Sequence, residues 1–138
     1  MATGCSTVQN LALTLRPKAV AIVNGYHALL REKKWFGSHL PANPPMIIFF
    51  NDQSFPAAYY DPRNGYIRIN LYNIMRIKSV HMAVAEAMAT YACHVSYNMA
   101  VEMHKSAINV RTAMRPVMHG YKSAKWTYYY DHFMAAIK

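Results

Sequence analysis

The chain has 138 residues, 54% of them hydrophobic, which is enough for one domain burying about two-thirds of its unfolded surface and too short for two comfortable ones. Only 15% of residues are charged, but 15 Lys and Arg against six acids leave a net charge of +9, which suits either an acidic partner or a merely solvated basic surface. No segment reaches the ~18 apolar residues of a membrane span, and Cys5 and Cys93 alone make no disulfide framework.

The start, Met1-Ala-Thr-Gly-Cys5, has no basic end followed by an apolar stretch, so no secretory signal is expected, and reduced thiols in the cytoplasm fit best. From Val8 to Lys34 the apolar spacing predicts a helix broken near Pro17, with Leu11, Ala12 and Leu15 before the break. Ala19, Ile22, Val23, Tyr26, Leu29 and Leu30 recur after it at helical intervals. Residues Trp35 to Pro45 read as a loop from their Pro, Gly and Asn content. Met46-Ile-Ile-Phe-Phe50 is a short apolar run bounded by turn residues and reads as a buried strand. In Tyr59-Tyr-Asp-Pro-Arg-Asn-Gly-Tyr-Ile-Arg-Ile-Asn70 a turn separates two extended pieces, and in the second Ile67 and Ile69 alternate with Tyr66, Arg68 and Asn70.

The next element, Ser79-Val-His-Met-Ala-Val-Ala-Glu-Ala-Met-Ala-Thr-Tyr-Ala-Cys-His94, carries small residues at Ala85, Ala89, Ala92, Ser96 and Ala100, all on one helical sector at about 100° per residue. Val80, Val84, Met88, Tyr91, Val95 and Met99 form a bulkier apolar face beside it. The strand followed by this helix resembles the core of zincin metallopeptidases of the SprT-like or ImmA-like kind, over roughly residues 44 to 100. The His-Glu-x-x-His of those families falls here on Ala85, Glu86, Ala87, Met88 and Ala89. The resemblance therefore implies an α+β zincin-like fold, a small mixed sheet packed on a central helix with further N- and C-terminal helices, as one domain over 1–138.

It also implies a lost activity. A catalytic zinc takes about three protein ligands, two of them histidines four apart on one helix face. Alanine supplies neither, and Glu86 without an acidified metal-bound water has nothing to deprotonate. The expectation is no metal, no cofactor and no catalysis, with Glu86 vestigial and Ala85 and Ala89 the degenerate ligand positions. Close helix packing explains the same alanines with no ancestral site, and both accounts stand. His81 and His94 point to nearly opposite sides of the helix, and His104, His119, Asp131 and His132 lack ligand-pair spacing, so a displaced metal site is the lesser alternative.

Ser106 to Met118 and Ser123 to Ile137 read as helices around the breaks at Pro116 and His119-Gly120. Trp126, Tyr129, Tyr130 and Phe133 follow an i, i+3, i+4, i+7 pattern that favours helix packing. Bases interleaved with aromatics make Arg111, Arg115, Lys122, Lys125 and Trp126 a weak nucleic-acid candidate. Ten Met and eleven Tyr supply adaptable surface. In zincins the corresponding edge strand pairs with extended peptide, so Tyr59, Tyr60, Tyr66 and Arg68 are the expected partner-binding residues. The function expected is a non-enzymatic structural or adaptor protein bound to protein partners in a larger assembly, in the cytoplasm or as a phage virion component. A basic nucleic-acid-binding accessory protein is the alternative.

Overall fold

A computed structural model describes the backbone of residues 3–74, 79–104 and 124–136, and the side chains within 9–74, 79–102 and 124–136. Helix α1, Thr3–Lys33, runs through Pro17 instead of breaking there. Proline removes one N–H from the helix ladder. The turn before it is exposed around Leu13, so the freed carbonyl is left on the wet side. The buried side chains Ala19, Ile22, Val23, Tyr26 and Leu30 hold the following turns to the core. After α1 the backbone enters the left-handed region at Lys34, and Lys34 N donates to Arg31 O at 3.2 Å.

A short 3-10 turn, Gly37–His39, and the proline loop lead to β1, Met46–Phe50. Strands β2, Ala58–Asp61, and β3, Tyr66–Asn70, complete a mixed sheet of order β1-β3-β2, with β1 parallel and β2 antiparallel to β3. The β2–β3 turn closes through Gly65, whose φ of +76° is one that glycine adopts without strain, and Gly65 N donates to Asp61 O at 2.8 Å. Asp61 Oδ1 accepts from Arg63 N at 3.0 Å, the local bond that aspartate supplies in turns.

Helix α2, Leu71–Ile74, follows, then α3, Val80–His104, and α4, Ala124–Ala136. The observed class is α+β. Register sets the two faces of the sheet: Ile47, Ile67 and Tyr60 form one row, and Phe49, Ile69 and Ala58 the next, facing the helices. Ile67, Ile69, Val84 and Met88 are buried in the shared core, each contributing about 1.5–3 kcal/mol. Ala85 and Ala89 are 0% exposed. Ser96, on the same sector, is buried and its Oγ accepts from Lys125 Nζ of α4, and the carbonyl of His81 on α3 accepts from Tyr26 Oη of α1 at 3.4 Å. The expected packing role of this small-residue stripe is what α3 displays.

On α4, Trp126, Tyr129 and Phe133 are buried and Tyr130 is half-buried, so the helical apolar pattern is core. Phe133 meets Tyr26 with ring centroids 4.7 Å apart. The expected helix at Ser106 to Met118 lies outside the described residues.

Candidate functional site

Three of the four expected partner-binding residues come together on the sheet face turned away from the helices. Tyr59 pairs in register with Arg68, and Arg68 pairs in turn with Ile48. Tyr66 lies between Met46 and Asp61, with the Arg68 guanidinium 5.9 Å from the Tyr66 ring centroid. Tyr60 departs from the group because strand alternation sends it to the other face. There its ring meets Tyr91 at 5.3 Å and His94 at 5.5 Å, and burial, with the Asp61 charge nearby, pushes its phenol up to about 12.

Sequence reasoning passed over Phe50 and Phe55, which extend this outer face. Phe55 stacks on Tyr59 at 5.8 Å, and Phe50 meets both edge-on. Met46 is 65% exposed and Phe55 44% exposed, so β1 is open on this side and not the fully buried strand expected. The apolar run Met46–Phe50 carried no alternation to reveal this. Phe55 gave no periodic signal because it reaches the sheet from a loop.

The cations beside the aromatics are already engaged. Asp61, buried on the turn, accepts from Arg68 Nε at 2.9 Å and from Arg63 Nε at 3.2 Å. Burial alone raises its carboxyl, but the hydrogen bonds from Arg63 and Arg68 outweigh this and hold it below the ordinary aspartate value. Arg68 Nη2 also donates to Asn64 Oδ1 at 3.2 Å.

The expected edge for peptide pairing needs two corrections. Tyr66 and Arg68 lie on β3, the central strand, and the edge strands are β1 and β2. Asn70 N donates to Ala57 O and Gly65 N to Asp61 O, both at 2.8 Å, so antiparallel alternation turns the main-chain groups of Ala58 and Tyr60 outward. Those residues are only 8% and 6% exposed, leaving little room for an added strand.

Glu86 is half-buried on the α4 side of α3, where burial first and the Glu86 charge second raise the Tyr130 phenol. Ala85 and Ala89 are fully buried in the core. Among the described residues no group of three His, Cys, Asp or Glu side chains could hold a metal ion. His81 and His94 are both half-buried. His94 stands against Tyr60 and Tyr97, and burial holds its imidazole below the usual range. His132 packs on Trp35, with centroids 5.0 Å apart, and Asp131 is exposed. The His104 side chain and His119 lie outside the described residues.

Of the nucleic-acid candidates, Trp126 is buried against α3 and donates from Nε1 to Thr90 Oγ1 at 3.0 Å, which leaves no open ring face for a base. Lys125 Nζ donates to Ser96 Oγ. Arg111, Arg115 and Lys122 lie outside the described residues.

At the end of the sheet a cavity of about 260 Å³ opens between the proline loop, the β2–β3 turn and α3, with Tyr60, Tyr66 and Tyr91 in its wall. Arg31 Nη2 fastens that loop to α1 by donating to Ala42 O at 3.0 Å. Among the described residues no helix is long and apolar enough to cross a membrane. No protein-family model matches the chain, and no curated protein and no solved structure gives a significant match.

Proposed function

We propose that this protein is a non-catalytic adaptor or structural component that docks a protein partner on the outer face of its sheet, in keeping with its resemblance to a zincin scaffold that has lost its metal ligands. The observation that carries the reading is the cluster of Ile48, Phe50, Phe55, Tyr59 and Tyr66 around Arg68 on the face the described helices leave uncovered. Aromatic and aliphatic side chains around a partly covered arginine are the composition of an interface centre. The contact runs through these side chains and not through main-chain pairing at β2.

A nucleic-acid platform is the competing reading of an aromatic face on a chain of charge +9. Two features weigh against it. Arg63 and Arg68 are both drawn to the buried Asp61 carboxylate, and Phe55 and Tyr59 stack on each other, which occupies one face of each ring.

The test is to isolate the native assembly, treat it with nuclease and wash it through a salt series, in parallel with Tyr59→Ser and Ile48→Asp variants. The docking reading expects the complex to survive nuclease and salt and to be lost in the variants, because apolar burial is little screened. Release at moderate salt with nucleic acid in the released fraction, or a complex indifferent to both variants, would overturn it.

A further inference from the structure

On the outer face Asp61 stands beside Tyr59 and Tyr66, since strand alternation turns Tyr59 and Asp61 the same way and Asp61 pairs in register with Tyr66. Its carboxylate is 2% exposed and takes two arginines that are not equivalent. Arg68 Nε holds it at 2.9 Å from a half-buried side chain that is also bonded to Asn64. Arg63 is 83% exposed, and its bonds to Asp61 are longer, 3.2 Å from Nε and 3.4 Å from Nη2. A single carboxylate neutralises a single guanidinium, so the trio keeps a surplus positive charge, and Arg63 carries it in water.

Asp61 occupies only one edge of the Arg63 guanidinium. The planar head presents its N–H groups as forks matched to a carboxylate. Nε with Nη2 grips Asp61, while Nη1 with the other N–H of Nη2 makes no hydrogen bond among the described residues. The exposure of the side chain keeps that second fork within reach of solvent.

The geometry points to the open fork of Arg63 as the recognition point for a carboxylate, an Asp or Glu side chain that the docking partner sets at the edge of the aromatic cluster. The inference rests on the docking function proposed above and names the chemistry of its partner: an apolar residue over Ile48, Phe50, Phe55 and Tyr59, flanked by an acid for Arg63. A forked guanidinium–carboxylate pair at the margin of an apolar contact adds orientation as well as affinity. A second copy of this chain also carries +9, so pairing the two faces would set like charge on like. A nucleic-acid strand calls for a positive groove along its backbone, and this end of the face offers a single surplus charge.

The experiment takes the partner purified from the native assembly and measures its binding to the full chain by surface plasmon resonance. Arg63→Gln, which removes the charge and the fork, should raise the dissociation rate at least about tenfold, the size of one charge-assisted hydrogen bond. Arg63→Lys should recover only part of the loss, because an ammonium has the charge without the fork. Lys18→Gln is the control: it removes the same charge from a groove among α1, α3 and α4 and should leave the rate unchanged. Arg68 still holds Asp61 in Arg63→Gln, so its melting temperature should match that of the wild type. Replacing the partner's Asp and Glu residues singly by Asn and Gln should find one whose loss equals that of Arg63→Gln, with the two changes together no worse than either.

A dissociation rate unchanged in Arg63→Gln, an equal effect of Lys18→Gln, or no coupled acid in the partner would overturn the carboxylate assignment. Tyr59→Ser separates the two proposals. Binding lost in Tyr59→Ser but untouched in Arg63→Gln overturns the acid alone, whereas a complex indifferent to Tyr59→Ser overturns docking itself. A retained species that proves to be a second copy of the chain, or a nucleic acid, would overturn the acidic partner.

Discussion

Asn70 Nδ2 donates to Phe55 O at 2.8 Å, a bond from the end of the central strand that fixes the loop carrying the exposed aromatic ring. The same side chain donates to Asp52 O and accepts from Asp52 N at 3.0 Å and Tyr72 N at 3.1 Å. It is fully buried with its amide satisfied on both sides.

Asn70→Ala is therefore expected to destabilise the protein by about 2–4 kcal/mol, since several loop groups lose their partner at once. Urea unfolding monitored by Trp fluorescence measures it. A midpoint within error of the wild type would show that water replaces the amide without penalty.

Ala89→Leu should cost about 1–3 kcal/mol or more, because a branched side chain must enter a fully buried position on α3. Leu13→Gln, on the exposed side of α1, is the control and should change little. Thermal unfolding of the two variants side by side decides the matter; equal melting temperatures would contradict the packing.

Acid should weaken the fold in two stages. Burial holds His27 and His94 below the ordinary imidazole value, with Arg31 adding to the effect at His27 and the Pro41 carbonyl opposing it. The unfolded chain takes up these protons first, so the stability they contribute is complete above about pH 6.5 and declines as pH falls towards their folded values. Asp61 is also depressed when folded, so its contribution is present above about pH 4 and is lost at lower pH as its carboxylate protonates. Urea midpoints measured from about pH 8 down to pH 5 should fall, and the double variant His27→Gln, His94→Gln should flatten that slope.

Protein purified without chelator is expected to carry no stoichiometric zinc, since Ala85 and Ala89 are closed in the core and no three-ligand group exists among the described residues. Elemental analysis checks this. One tightly held zinc per chain, lost together with a peptidase activity, would restore the catalytic alternative.

Where local period and burial coincide, the sequence was readable. The alternation Ile67, Ile69 on β3 and the Trp126, Tyr129, Phe133 pattern on α4 both mark side chains that are buried. Three features escaped because they depend on partners distant in the chain. α1 continues through Pro17 on the strength of core contacts beyond it. Asn70 looks like an exposed polar position until the 52–55 loop folds onto it. Tyr59 and Tyr60 are alike by composition, and only strand phase separates the docking face from the cavity wall.

Cys93 gives the protein an internal clock. Its thiol is fully buried in α3 and burial pushes it up to about 12, so almost no thiolate exists near neutral pH and reagents meet an inert group. With Cys5 replaced by serine, the rate at which a thiol reagent labels Cys93 becomes a direct count of the openings that part α3 from its neighbours. A partner that grips the outer face would slow that labelling without ever touching the sulfur.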